Sequence, residues 1–255
     1  AARTPIGKAY RGAFNNLESP SMASVAVKAA VDRSGIDPKE VDDCIMGAAI
    51  QQGTQGFNLG RQVAMASGLP VSVAGMTIDR QCSSGLMTIA TGAKHIINDN
   101  APITIAGGCE SISLVQNEHM NSHRIGDPLT IKNAPMIHMP MLDTAETVAK
   151  RYNISREAQD EYAVASQERT ADAQVRGAFD DEIVPVTAIK MIMNKETGEV
   201  TKEEVTLTKD EGNRPGTTIE NLANLKPVRN DGTITAGNAS QLSDGAAAVV
   251  MMDGK

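Results

Sequence analysis

Cys82 stands in the stretch IDRQCSSGLMTIATGAKHI, residues 78–96, where a short extended run gives way to helical periodicity. At a strand-to-helix junction, unpaired backbone N–H groups and the helix dipole favour a thiolate, which lowers the pKa and makes a better nucleophile. Ser83, Ser84 and Gly85 behind it allow close backbone approach and leave N–H groups aimed at whatever the sulfur attacks, which would hold an oxyanion. That set of groups suits acyl transfer. The competing reading is a small buried hydrophobe, the usual fate of a free cysteine, and local chemistry leaves both open. Cys44, inside the apolar run VDDCIMGAAI, and Cys109, after Gly107 and Gly108 at a strand end, read as packing residues.

The elements that must position Cys82 follow from periodicity. After the start signal SPSM, Met22, Val25, Ala26, Ala29 and Ala30 recur at helical spacing and stop at Gly35, which predicts a helix. VDDCIMGAAI reads as a buried strand, FNLGRQVAMASG as a helix closed by Gly68 and Pro70, and AGMTID as a short strand. Past Cys82, Leu86, Ile89, Ala90, Ala93, Ile96 and Ile97 share one helix face, and APITIAGG returns as a strand. The order β-α-β-α-β predicts an α/β fold with a mainly parallel, mixed sheet covered by helices.

From Glu110 to about Pro140 the pattern breaks into NEHMNSHRIGDPLTIKNAPMIHMP, too long for a simple connection in a compact domain and of the kind that is usually functional. Helices resume at Asp143, where Asp143 and Glu146 have capping-box spacing, and from Ser155 to Arg176 with Gly177 as the stop. TAIKMIMNKETGEVTKEEVTLTK reads as a polar hairpin turning at Glu196 to Gly198. GTITAGNASQLSDGAAAVVMM reads as strand, small-residue turn, short helix and strand. The simplest organisation is an α/β core of residues 1–111 and 231–255 interrupted by an inserted subdomain, 112–230.

Composition narrows the classes. The 255 residues, 41% hydrophobic and 22% charged, can bury a large core. With 2% aromatics and no Trp, close packing of small side chains is expected. A formal charge of −7 argues against nucleic acid or an anionic membrane as the main partner, and no apolar run is long enough for a membrane helix. Three widely spaced cysteines lack metal-ligand spacing and favour a reducing, cytoplasmic setting without disulfides. The chain begins AARTPIGKAY and ends GAAAVVMMDGK just after an apolar run, so both ends read as cut.

Taken in order, RTPIGKAYRGAF, IDRQCSSGLMTIATGA, AGGCESIS, DTAETVAKRYNISREAQDEYAVASQ, DEIVPV and TAGNASQLSDGAAAV resemble the thiolase family across essentially the whole chain. The resemblance implies a thiolase-like layered fold: an N-terminal half-domain carrying the nucleophile Cys82, with an inserted loop domain that binds coenzyme A. It implies thiolysis of a 3-ketoacyl-CoA by free CoA, giving acetyl-CoA and a shortened acyl-CoA through an acyl-cysteine, with neither cofactor nor metal. For CoA it implies Ser240 as hydrogen-bond partner of the pantetheine arm, with Ala236, Ala239 and Leu242 beside it. Arg214, in GNRPGTTIENL, falls at the nucleotide end, Asn221 of the same stretch is among the CoA-binding residues, and Met141 falls near the thioester. Without the resemblance, Arg214 reads as a solvated charge and Met141 as packing.

The family's catalytic histidine belongs to a G-H-P-x-G motif that does not occur here. His95 lies far down the helix after Cys82, and His119, His123 and His138 lie in the irregular segment, where one could touch the CoA or ketoacyl group. The N-E-A-F segment and a second cysteine in C-x-G are likewise missing, so a C-terminal half-domain is expected to be absent from this chain. Asp79 stands where Asn is common, and Leu142 where Gly is common. RQCSSG is nearer to the degradative 3-ketoacyl-CoA thiolases than to the acetoacetyl-CoA enzymes. The alternatives are a biosynthetic thiolase, a ketoacyl synthase and a non-catalytic CoA-binding or heteromeric module. Thiolases assemble as dimers or dimers of dimers, so a homodimer or homotetramer is expected.

Overall fold

The computed structural model describes residues 1–254 and divides into two compact units, residues 1–120, 179–212 and 242–255, and residues 121–178 and 213–241. The division differs from the expected 112–230 insertion in three places, the first being that residues 112–120 stay with the first unit. The segment 179–212 belongs with the first unit, because Val186 and Ala188 join its apolar core. The small-residue turn 235–240 belongs with the second.

In the first unit, β1 (Ala2–Arg3) and β2 (Gly7–Lys8) lead into α1 (Ser19–Ser34), β3 (Val41–Gly47), α2 (Leu59–Ala66), β4 (Ala74–Ile78), α3 (Ser84–Asp99), β5 (Ile103–Ser111) and the single-turn α4 (Ile112–Val115). The helix α1 opens with Pro in its first turn and closes on Gly35 at φ 69°, the left-handed stop that glycine provides. Further along, 128–133 form a short helix α5, Met141–Tyr152 form α6 and Arg156–Val175 form α7. The chain then gives the hairpin β6 (Val186–Met193) and β7 (Val200–Leu207), α8 (Ile219–Ala223) and β8 (Ser243–Met252).

The main sheet has the order β1-β8-β5-β3-β4, with β2 also on β8. β3 pairs in parallel with β4 and β5, as the β-α-β order predicts, whereas β8 runs antiparallel to β5, β1 and β2. The sheet is therefore mixed, with two parallel and three antiparallel pairings, because β8 returns between β1 and β5. Between α8 and β8 no strand or helix forms; residues 236–238 are a turn and 239 a bend.

Strand side chains alternate between faces. Cys44, Met46, Ile103, Ile105 and Cys109 join the core built by Met22, Ala23, Ala26 and Val27 of α1 and Leu59 and Val63 of α2. The other face receives α3 and corrects an expectation. Ser84, Thr88 and Gly92 are the buried residues of α3, while Leu86 and Ile97 are 71% and 75% exposed. Small groups meet the sheet because the facing strands carry glycines: a Cβ on Gly47 would lie 2.6 Å from the Ser84 carbonyl carbon, and the Thr88 hydroxyl donates to the Gly107 carbonyl at 2.8 Å.

The second unit has few buried apolar side chains, among them Ala149, Ala173, Leu222 and Ile234. Polar ties hold it instead. Asp143 and Glu146 form no capping box, since Pro140 precedes α6 without a side-chain cap. Glu146 accepts from the Ile234 N–H at 2.8 Å and the Thr233 N–H at 2.9 Å, and Asp143 accepts from Arg229 Nε at 2.6 Å. The stop at Gly177 and the hairpin turn at Gly198, φ 69° and 72°, lie where the sequence puts them.

Candidate active site

Cys82 is exposed, whereas Cys44 and Cys109 are buried. Burial, with Asp43 beside it, pushes the Cys44 thiol up to about 12. Burial also raises Cys109, whose thiol faces the Ser19 carbonyl at 3.6 Å. Only Cys82 is open to a substrate.

A tight turn between β4 and α3 presents it. Gln81 takes φ 51°, and its N–H donates to Asp79 Oδ1 at 2.7 Å, a service that an Asn carbonyl oxygen could equally give. The Arg80 N–H donates to Ser84 Oγ at 2.8 Å, and that hydroxyl donates to the Gln81 carbonyl at 2.6 Å. The N–H groups of Ser83 and Ser84 donate to the carbonyls of Arg80 and Gln81 at 3.2 and 3.1 Å. They are therefore spent on the turn, and the expectation that the two serines offer free donors to an oxyanion does not hold. Gly85 also differs from its reading: a Cβ there meets nothing within 4 Å. Close approach comes from the strand glycines instead.

Sequence reasoning missed a polar network at the ends of β3 and β5. Glu110 accepts from the Ala49 N–H at 2.8 Å and from Gln55 Nε2 at 2.6 Å. The fully buried Gln55 accepts in turn from the Ser111 N–H at 2.6 Å and the Ser19 hydroxyl at 3.3 Å. The Ala48 N–H donates to the Ile78 carbonyl at 3.1 Å, so the clamped segment also touches the strand that leads to Cys82. A charge at the end of the apolar run ITIAGGCES was the available signal. His95 on α3 sits 3.9 Å from Asp43, and His119 is 3.7 Å from Glu118; His123 and His138 are exposed in the second unit.

In the second unit, Arg214, Asn221, Ala236 and Ala239 line one cavity of about 260 Å³, together with Gln167, Leu222 and Gly237. Gln167 Oε1 accepts from the Arg214 N–H at 2.9 Å and from Asn213 Nδ2 at 3.0 Å, fixing the segment while the Arg214 side chain stays exposed. Ser240 is exposed on the same turn but does not line the cavity, and neither does Met141, which is 73% exposed at the start of α6. Leu242 belongs to the first unit. The cavity lining offers one cation, amide groups and a wall of small residues where a chain could approach the backbone. Among the described residues, no group of three or more His, Cys, Asp or Glu could hold a metal ion.

The family model "Thiolase, N-terminal domain" matches residues 1–255. The chain belongs to the thiolase family. It is 42% identical over 254 residues to the 3-ketoacyl-CoA thiolase of Bacillus subtilis (strain 168), covering 99% of this chain and 64% of that thiolase. An acetyl-CoA acetyltransferase of Cupriavidus necator is 40% identical over 265 residues, covering 99% and 64%. A mouse thiolase named 3-ketoacyl-CoA thiolase A, peroxisomal, is 40% identical over 258 residues, covering 98% and 57%. The crystal structure of the Bacillus anthracis acetyl-CoA acetyltransferase superposes with a TM-score of 0.83 at 39% identity, over 99% of this chain and 64% of that one. The chain thus spans less than two thirds of these thiolases, and the match to the solved structure bears out the α/β fold.

Proposed function

We propose that the chain supplies the nucleophile of an acetyl-CoA C-acyltransferase acting on 3-ketoacyl-CoA and free CoA. The Cys82 thiolate adds to the keto carbon, the bond to the α-carbon breaks, and the carbanion of acetyl-CoA leaves and takes a proton. The CoA thiolate then attacks the acyl-cysteine and releases Cys82. A thioester on the enzyme is close in energy to the CoA thioesters on either side, so neither half-reaction falls into a trap. The observation that carries this reading is the exposed Cys82 at the head of α3, set against two cysteines sealed by burial. The proton transfers need groups that the resemblance assigns to a C-terminal half, such as the histidine of G-H-P-x-G.

CoA is assigned to the second unit, with Arg214 and Asn221 toward the nucleotide and Ala236, Ala239 and Ser240 along the pantetheine arm. Four of these five share one cavity, which supports the assignment; Met141 and Leu242 rest on resemblance alone. The uncovered apolar stripe of α3, with Leu86 and Ile97 exposed, supports a helix partner of the kind thiolase halves give each other. A homodimer or homotetramer and a cytoplasmic setting belong to the same proposal, although relatives in mouse and Candida tropicalis are named peroxisomal.

The relatives also favour a second direction, condensation of two acetyl-CoA, because the Cupriavidus and Paracoccus proteins and the solved Bacillus anthracis structure carry the name acetyl-CoA acetyltransferase. Thiolysis rates on acetoacetyl-CoA against a longer 3-ketoacyl-CoA separate the two. The nucleophile itself is tested by intact-mass analysis after incubation with acetyl-CoA: the expected result is one acetyl group on the native protein and none on Cys82→Ser. Acetylation retained in that variant overturns the assignment.

A further inference from the structure

The walls of the cavity in the second unit are tied together from behind its lining. Its two walls, Leu222 and Leu225 on one side and Ala236, Gly237 and Ala239 on the other, meet at Gly237, where a Cβ would lie 2.6 Å from Leu225 Cδ1. Behind both walls lies Asp160 of α7, 2% exposed. Asp160 Oδ1 accepts from Asn238 Nδ2 at 2.9 Å. Asn238 shapes the small-residue turn: its Oδ1 accepts from the Thr235 N–H at 2.7 Å, and its Nδ2 also donates to the Thr233 carbonyl at 3.1 Å. Asp160 Oδ2 accepts from Arg156 Nε at 2.7 Å, and Arg156 donates to the carbonyls of Leu222 and Leu225 at 2.5 and 3.2 Å. One buried carboxylate therefore fastens both walls to a single turn of α7. Such a group is costly to desolvate and adds little net stability, so its use lies in the geometry it imposes.

We propose that Asp160 is a positioning residue for the cavity, holding the turn through Asn238 and the end of α8 through Arg156 at the separation a CoA segment requires. This rests on the reading of the cavity as a CoA site. It touches no ligand and acts only through its two partners.

The test is calorimetric titration of CoA into the chain, with the thermal midpoint of each variant recorded alongside. Asn238→Asp sets a second carboxylate against Asp160 and is expected to weaken CoA binding about ten- to hundredfold. The swap Asp160→Asn with Asn238→Asp rebuilds the bond between the two residues with donor and acceptor exchanged, loses the donation to the Thr233 carbonyl, and is expected to recover at least about threefold of the affinity lost in Asn238→Asp. Where Asn238→Asp melts below the assay temperature, Asn238→Ala removes the link without adding charge and is expected to show about a threefold loss. Equal affinity in native protein and single variants overturns the positioning role, as does a loss that the swap fails to recover. A native chain that binds no CoA overturns the reading of the cavity itself, an outcome distinct from any failure among the variants.

Discussion

The turn that presents Cys82 and the cavity of the second unit are built on opposite principles. Around Cys82, position comes from contact: glycines on β3 and β5 let the first turns of α3 rest on the strands with almost no side chain between them. In the second unit, where buried apolar groups are few, position comes from carboxylates that collect backbone N–H groups and amides, Glu146 for residues 233 and 234 and Asp160 for the cavity walls. A steric device is indifferent to pH and intolerant of volume. A carboxylate such as Glu146, whose pKa is lowered by the N–H groups it holds, answers to protons.

Four experiments test that contrast. The largest effect is expected in thiol reactivity. A thiol with a pKa of about 12 is ionised at pH 8 in about one molecule in ten thousand. Iodoacetamide at pH 8 should therefore label Cys82 alone in the folded chain, with Cys44 and Cys109 reacting only after denaturation; mass mapping of the adducts reads this. Next, Gly47→Ala drives a Cβ to 2.6 Å and 2.7 Å from the backbone of Ser84 and Gly85, and should cost about 3 kcal/mol in urea unfolding. A cost near zero would mean that α3 is not seated by contact.

Glu146→Gln should cost about 1–2 kcal/mol at neutral pH. Desolvation raises the Glu146 pKa, but the hydrogen bonds from Ile234 and Thr233 outweigh it, and the net shift is downward. A carboxylate with a depressed folded pKa contributes stability above its ordinary range and loses it as pH falls through the folded value. Native melting should therefore fall below about pH 4.5, and the variant's less so; parallel acid profiles would remove Glu146 as the cause. The smallest effect is expected from Gly85→Ala, whose Cβ enters open space: a change within about 0.5 kcal/mol. A large loss there would place close approach on the helix rather than on the strands.

Much of this was legible in the sequence because it is local. The helical spacing of Met22, Ala26 and Ala30, the Gly35 and Gly177 stops, the polar hairpin and the junction at Cys82 each rest on neighbours in the chain. The orientation of α3 was not, because the apolar stripe of Leu86, Ile89 and Ile97 reads as the buried face by every periodicity rule. The rule is inverted by glycines on strands far away in sequence, which admit Ser84, Thr88 and Gly92 instead. The polar ties were hidden for a related reason. Glu146 and Asp160 look like ordinary helix surface until residues 233–238 arrive across about 80 positions, and the capping-box spacing of Asp143 and Glu146 offered a local explanation that long-range partners displaced. At the cavity, Arg214, Asn221, Ala236 and Ala239 came from resemblance, whereas Gln167 had no sequence signal beyond its place on α7.

The placement of β8 has a consequence for how the chain acquires this fold. β8, which follows the second unit in the sequence, lies between β1 and β5, and Ala2 finds its strand partner only when Ala248 is present. During synthesis, β5 remains an open edge beside β3 while the whole second unit is made. Pairings of such long sequence separation are slow to form and leave an exposed edge open to other chains. The closing of β8 on β5 should therefore be a late step in refolding of the first unit.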